Sequence, residues 1–270
     1  MIEKNEIEKY ASDQYLRALL DAAAASKIVL DKLCQQKNMR FIELLIEWNQ
    51  KMNLTAITDP EGIAVKHFSD SWMILPWLNR FAEESESSPY RLIDVGTGAG
   101  FPGIPLKIMN PSIDLVLLDS LKKRTGFLQT VKDELELANV TCLHSRAEEA
   151  ARKQELREQF DMATARAVAS LPVLCELCLP FVRINGYFIA MKSHSAVEVD
   201  QAQEAIRKLG GRLQQVVNFS LPGTEIKRSL VIIKKVSETP KAFPRKAGIP
   251  QKEPLQALNR TVPEALAQQI

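Results

Sequence analysis

Apolar residues recur at two different spacings along the chain, and the change comes near residue 90. Over residues 12 to 51 the spacing is helical. Leu16, Leu19, Leu20 and Ala23 share one face, and Phe41, Leu44, Leu45 and Trp48 share another. Asn53-Leu54-Thr55 interrupts the pattern, and Asp59-Pro60-Glu61-Gly62 combines a turn with a helix cap. His67, Phe68, Trp72, Leu75 and Leu78 then restore helical spacing, and the polar stretch 83–89, EESESSP, reads as a boundary. Beyond it, short apolar runs predict strands at 91–95, 114–118, 140–143, 161–165 and 185–191. Helices are predicted at 102–109, 121–137, 147–158, 171–182 and 196–209. Strands alternating with helices of this length imply right-handed βαβ units and a mostly parallel sheet. After Gly210-Gly211 two apolar runs, 213–219 and 229–235, flank a loop too short for a crossover helix. They predict an antiparallel pair at one edge of the sheet.

Seven such strands with an antiparallel last hairpin make an α/β fold, the Rossmann-like arrangement of class I methyltransferases. The predicted organisation is a helical extension over 1–88, an α/β domain over 89–236 and a basic tail over 237–270. In the tail, Lys241, Arg245 and Lys246 accompany Pro240, Pro244 and Pro250, which argue against a regular helix. The tail reads either as a solvated segment or as an arm that contacts phosphates.

The candidate chemistry sits at the end of the first strand, Leu92-Ile93-Asp94-Val95-Gly96-Thr97-Gly98-Ala99-Gly100-Phe101-Pro102-Gly103. Strand, glycine turn and helix make a nucleotide-binding entry unit, and two registers fit it. Gly98 to Gly103 matches the GxGxxG of dinucleotide sites. Asp94 followed by Gly96, Gly98 and Gly100 resembles the first motif of S-adenosylmethionine-dependent methyltransferases. A pyrophosphate would be opposed by Asp94, whereas S-adenosylmethionine carries a sulfonium and an ammonium that it favours. Asp119, about 20 residues beyond the glycines, is placed to accept ribose hydroxyls of either ligand. After the third strand, Ala147 and Glu148 lie where such folds border the adenine. At the end of the fourth strand, Arg166 is a plausible contact to cofactor or base.

The acceptor is narrowed by elimination. The Asn/Asp-Pro-Pro-aromatic motif of adenine amino-methyltransferases is absent. Thr141-Cys142, the one formal match to a cytosine-C5 nucleophile, lies inside an apolar strand. Guanine N7 needs neither nucleophile nor base, because its lone pair is free and alkylation removes no proton. Positioning alone would then supply catalysis.

Asn53-Leu54-Thr55, Lys66-His67-Phe68-Ser69-Asp70-Ser71 and the stretches LIDVGTGAGFPGIPL, LLDSLKKRTGFL, TARAVASLP and TPKAFPRKAGIP together resemble one family. It is the bacterial small-subunit ribosomal RNA 7-methylguanosine methyltransferases, also called glucose-inhibited division protein B. The resemblance covers nearly the whole chain apart from the residues beyond about 255. It implies guanine-N7 methylation of 16S ribosomal RNA, free or in the 30S subunit, with S-adenosylmethionine as cofactor. It also implies cofactor contacts at Gly96, Phe101, Ala147, Glu148 and Arg166, with Asp119 as ribose partner. The residues themselves add an RNA face of Lys122, Lys123 and Arg124 with Lys241, Arg245 and Lys246, to which Lys66 and His67 could contribute. His67 and Arg166 are the positioning candidates, and no general base is assigned.

Composition changes this picture little. A net charge of +2 on 270 residues means that any RNA face is local. Cys34, Cys142, Cys175 and Cys178 are too few and scattered for a disulfide framework, and the lone CxxC lacks further ligands, so no metal is expected. The polar start MIEKNEIEKY and the lack of a long apolar run lead to the expectation of a cytoplasmic monomer without membrane attachment. Three other classes remain open on the residues: a small-molecule methyltransferase, an NAD-dependent oxidoreductase and a non-catalytic ribosome-assembly factor.

Overall fold

The computed structural model describes residues 4–85, 88–166, 169–193 and 196–256. Seven strands form one sheet: β1 (Arg91–Val95), β2 (Asp114–Asp119), β3 (Val140–His144), β4 (Phe160–Arg166), β5 (Val182–Lys192), β6 (Gly211–Ser220) and β7 (Lys227–Lys235). Their order is β3-β2-β1-β4-β5-β7-β6. The first five strands are parallel, and β7 runs antiparallel to both β5 and β6. β7 therefore lies inside the sheet, and β6 alone forms that edge. The chain winds outward in opposite directions from β1 and β4. The gap between their carboxyl ends is the topological switch point where such sheets bind ligands.

Strand alternation divides the apolar residues between two cores. Leu92, Leu115 and Leu117 face one side, while Ile93, Val95, Val116 and Leu118 face the other. The first side is covered by α6 (Gly103–Met109) and α7 (Lys122–Glu134), through Ile104, Leu106, Phe127 and Leu128. The second is covered by α8 (Ala147–Ala150), α9 (Leu171–Cys178) and α10 (Ala196–Lys208), through Ala150, Leu174, Cys175, Ala202 and Ile206. Burial on both faces explains why these strands read as continuous apolar runs.

The N-terminal helices are α1 (Lys4–Ala25), α2 (Lys32–Asn49), α3 (Pro60–Ile63), a π-helical segment (Ala64–Ser69), α4 (Asp70–Trp72) and α5 (Leu75–Glu83). Asp31 caps α2 by accepting from the Cys34 amide at 2.7 Å, and Asp59 caps α3 by accepting from the Gly62 amide at 2.7 Å. Phe41, Phe68 and Trp72 are fully buried and share the first core with Leu92 and Phe127. The segment expected as an extension thus supplies the largest side chains of that core.

Two predicted helices are shorter than their patterns suggested. The helix expected over 147–158 is only Ala147–Ala150, followed by turns. The one expected over 171–182 stops at Cys178, because Pro180 leads into a 3-10 turn, Leu179–Phe181, and β5 already begins at Val182. The turns after α8 exist to hold the tail. Arg157 donates to the carbonyls of Thr239 (2.7 Å) and Phe243 (2.9 Å), and Glu158 accepts from the Thr239 amide at 2.7 Å. Arg152 donates to the Pro244 carbonyl.

The residues after β7 are consequently neither a free arm nor a solvated coil up to about position 252. The Lys235 ammonium is fully buried and bonds Glu158 (2.8 Å), the Leu179 carbonyl (2.9 Å) and Thr239 Oγ1 (2.8 Å). Arg245 forks onto Glu176, a wholly buried carboxylate, with contacts of 2.6 and 2.9 Å. A short helix, α11 (Ile249–Lys252), follows. The end of the tail, including most of the stretch without family resemblance, lies outside the described residues, as does His194.

Candidate cofactor and acceptor site

The glycine turn is fastened from behind. Gly96 and Thr97 donate their amides to the Leu118 carbonyl at 2.8 and 3.1 Å, tying the turn to β2. Asp94 is fully buried beneath it, and its Oδ2 accepts from the Thr97 hydroxyl (2.7 Å) and the Gly103 amide (2.9 Å). Its other oxygen, Oδ1, is buried without a partner. Burial pushes the Asp94 carboxyl up to about 6, against the lowering effect of those two hydrogen bonds. Gly103 is required by space: a Cβ there would lie 2.5 Å from Leu117 Cδ2 and 2.9 Å from Asp94 Oδ2. Gly98 has the opposite surroundings. Its φ is +62°, and a Cβ would meet nothing within 4 Å, so it faces open space above the turn.

Asp94 and Gly100, both expected as cofactor contacts, thus stand behind the turn rather than in a cavity wall. A Cβ at Gly100 would approach Ile104 to 2.8 Å and Leu128 to 3.0 Å. The turn's amides are also spoken for. Gly96, Thr97, Gly98, Gly100, Phe101 and Gly103 all donate within the protein. Such a turn offers few free N–H groups to a pyrophosphate and suits a ligand without phosphates.

Asp119 at the end of β2 is 3% exposed. It accepts from the Gly98 amide (3.0 Å) and the Leu121 amide (2.9 Å), with the Arg124 guanidinium at 3.5 Å. A carboxylate has about four lone-pair sites, so acceptor capacity remains. Next to it is a cavity of about 250 Å³ bordered by Gly96, Asp119, Ala147 and Glu148. One side of it comes from α9, through Val173 and Leu177, and another from the tail: Gly248, Pro250 and Gln251. Glu148 Oε1 accepts from the Gly248 amide at 2.9 Å, which pins this wall in place.

On the other side of the turn, a cavity of about 370 Å³ is lined by Thr55, His67, Gly98, Phe101, Arg124 and Arg166. Beyond it, a third, of about 300 Å³, includes Ile57, Lys66, Asp70, Met191 and Arg228. His67 and Arg166 border both. The His67 ring stacks on Phe101 with centroids 4.6 Å apart, and the Arg166 guanidinium carbon lies 5.2 Å from the same ring. Arg166 is held by the Lys66 carbonyl at 3.1 Å and by Asp70 at 3.3 Å. It can only donate, so the 3.4 Å contact to His67 Nδ1 assigns the His67 proton to Nε2, which donates to Thr55 Oγ1 at 2.9 Å. Burial, aided by the Arg166 charge, pushes the imidazole down to about 4, so it is neutral at physiological pH. The expectation that His67 helps hold phosphates therefore fails: it is 8% exposed and uncharged. The π-helical segment carries both Lys66 and His67, consistent with the tendency of such bulges to mark functional positions.

The expected RNA face is split. Lys122 and Lys123 are exposed at the start of α7, and Lys241 and Lys246 are exposed on the tail. Arg124 instead turns inward to Asp119, and Arg245 is committed to Glu176. Asp70, Arg228, Pro250 and Gln251 were not singled out from the sequence. Asp70 lies inside a quoted motif, but nothing local marks Arg228, which reaches the site because β7 pairs with β5. A larger cavity, about 730 Å³ between α1 and the loop after β6, shares no lining residue with these three. Cys142, Cys175 and Cys178 are thiols pushed up by burial, Cys142 to about 11. Among the described residues no three His, Cys, Asp or Glu side chains converge on a metal position, and no helix is long and apolar enough to cross a membrane.

Several known proteins are similar to this chain in sequence. A ribosomal RNA small subunit methyltransferase G of Acetivibrio thermocellus is 47% identical over 239 residues, covering 88% of this chain and 96% of the relative. One from Lachnoclostridium phytofermentans is 50% identical over 216 residues, covering 80% and 87%. Among solved structures, a SAM dependent methyltransferase from Aquifex aeolicus covers 68% of this chain and 97% of its own, with 17% identity and a TM-score of 0.47. The model of the GidB family, rRNA small subunit methyltransferase G, matches residues 34–231, and the chain belongs to that family.

Proposed function

We propose that this protein transfers the methyl group of S-adenosylmethionine to N7 of a guanosine in small-subunit ribosomal RNA, acting as a cytoplasmic monomer. The observation that carries the cofactor half is the glycine turn, whose amides are consumed internally above a buried carboxylate with an orphaned oxygen. That arrangement favours a cation without phosphates. The cavity beside Asp119 would hold the adenosine, with Asp119 accepting from the ribose hydroxyls and Ala147, Glu148 and the tail bordering the adenine. Gly98, Phe101 and Arg166 would border the methionine end.

When bound, the cofactor supplies an electrophilic methyl on a sulfonium. Attack by the purine nitrogen's lone pair would form the N–CH₃ bond as the S–CH₃ pair returned to sulfur, leaving the positive charge on the base. No proton leaves, so no general base is required. The chain's task is to hold two ligands in line in a cavity with little water. Neutral His67 adds no charge beside the sulfonium, and Arg166 is paired with Asp70, which Arg228 shares. The direct test is transfer of tritiated methyl from S-adenosylmethionine to 30S particles and to naked 16S RNA, followed by mapping of 7-methylguanosine. Absence of incorporation by protein that still binds the cofactor would sink the RNA assignment.

A further inference from the structure

The cavity beyond the His67–Arg166 wall has a composition unlike that of the cofactor side. Two apolar residues, Ile57 and Met191, face a set of cations: Lys66, Arg166, Lys192 and Arg228. Lys192 is neutralised by Glu198 at 2.9 Å. Asp70, 4% exposed, is shared by two guanidiniums, with Arg166 Nη1 at 3.3 Å and Arg228 Nε at 3.1 Å. Among the described residues no carboxylate pairs with Lys66. One carboxylate therefore faces two arginines, and Lys66 adds a further unmatched charge at the rim. This excess of positive charge borders a volume of about 300 Å³, at the small end of ligand pockets and sized for one nucleotide rather than a duplex.

Building on the rRNA methylation reading above, we propose that this cavity is the acceptor pocket. One nucleotide, unstacked from its RNA, places its base between Ile57 and Met191 against the His67–Arg166 wall, and Arg228 with Lys66 holds an adjoining backbone phosphate. His67 and Arg166 border both this cavity and the Phe101 cavity, so the acceptor volume lies next to the one assigned to the methionine end. Asp70 fixes Arg228 Nε and the Lys227 carbonyl accepts from Nη1 at 3.0 Å, which leaves Nη2 for a phosphate. Extruding a single base into a closed pocket is how enzymes reach ring atoms that stacking would hide.

The test is steady-state methylation of 30S particles or 16S RNA by full-length protein at several salt concentrations. For Arg228→Gln and Lys66→Gln, the KM for RNA rises about tenfold or more while the dissociation constant for S-adenosylhomocysteine stays unchanged. The log–log salt slope becomes shallower by roughly 0.7 to 0.9, the value for one lost phosphate contact. Arg228→Lys retains the charge and restores most of the salt slope. If Arg228→Gln acts only by disturbing Asp70 and Arg166, kcat falls with the salt slope unmoved, and Lys66→Gln has no effect; that result overturns the proposal. Unchanged KM and slope in both variants also overturn it, with the methylation reading intact. Wild-type protein that transfers no methyl to RNA removes both.

Discussion

At the residue scale, Asp94 and His67 show how burial sets what a side chain can do. Asp94→Ala leaves the Thr97 hydroxyl and the Gly103 amide without an acceptor in a dry interior. The expected loss is about 2–4 kcal/mol of unfolding free energy, read by urea titration. Asp94→Asn keeps an acceptor oxygen and removes a charge whose folded pKa is raised from 3.8 to about 6. A raised carboxyl pKa means that the native state holds the proton more tightly, so this group's contribution is favourable below pH 3.8 and is lost as pH rises through 6. Relative to its own stability at pH 4, Asp94→Asn therefore gains on wild type as the pH rises from 4 to 7, a gain set against the unpaired amide hydrogens it places at the Oδ1 position. Cofactor binding by the same variant is expected to weaken about tenfold, because the negative charge beneath the turn is gone. His67 has the opposite sign: its depressed pKa makes stability fall as pH drops from 6.5 to 4. Since folded His67 stays neutral down to about pH 4, kcat/KM shows no limb near pH 6.5, and a midpoint there would mean that His67 titrates during turnover. The sequence disclosed Asp94, Asp119 and Arg166 because strand ends and glycine spacing are local. It did not disclose that Asp94 works from behind the turn or that His67 is uncharged, because both facts depend on packing against Phe101 and α6.

At the element scale, periodicity located the helices that bury one face and failed where contacts are non-local. The turns after α8 and the segment following β7 look polar and proline-rich, and each is ordered by the other through Arg152, Arg157 and Glu158. The strap so formed ends in the wall made by Gly248, Pro250 and Gln251. Its anchor is the Arg245–Glu176 pair, and removing one partner strands a wholly buried carboxylate. Arg245→Ala is expected to lower unfolding free energy by about 3 kcal/mol. It is also expected to raise the dissociation constant for S-adenosylhomocysteine severalfold in calorimetry, with RNA affinity little changed. A variant that weakens RNA binding instead would return Arg245 to the phosphate-contacting role that its basic neighbourhood suggested.

At the scale of the whole molecule, one sheet separates two cores, and the N-terminal helices close the first. The strand rhythm made the sheet, its parallel part and the antiparallel hairpin legible. It did not show that β7 would enter the sheet beside β5, which brings Arg228 to Asp70. Nor did the polar boundary near residue 85 reveal that Phe41 packs on Phe101 and Phe127, Phe68 on Phe101, and Trp72 on Phe68. A chain begun at residue 89 would expose those rings and lose the His67 side of the site. It is expected to lack a cooperative thermal transition in calorimetry, whereas independent melting of such a piece would show that the helices are dispensable for folding.

The strap also orders events in time. The wall it contributes leaves the ribosome after every strand of the sheet, and it docks on Glu148, Arg157, Glu158 and Glu176, which have already been made. A nascent chain can therefore assemble its sheet while the chamber next to Asp119 still lacks one side. Completion of that chamber would therefore follow assembly of the sheet.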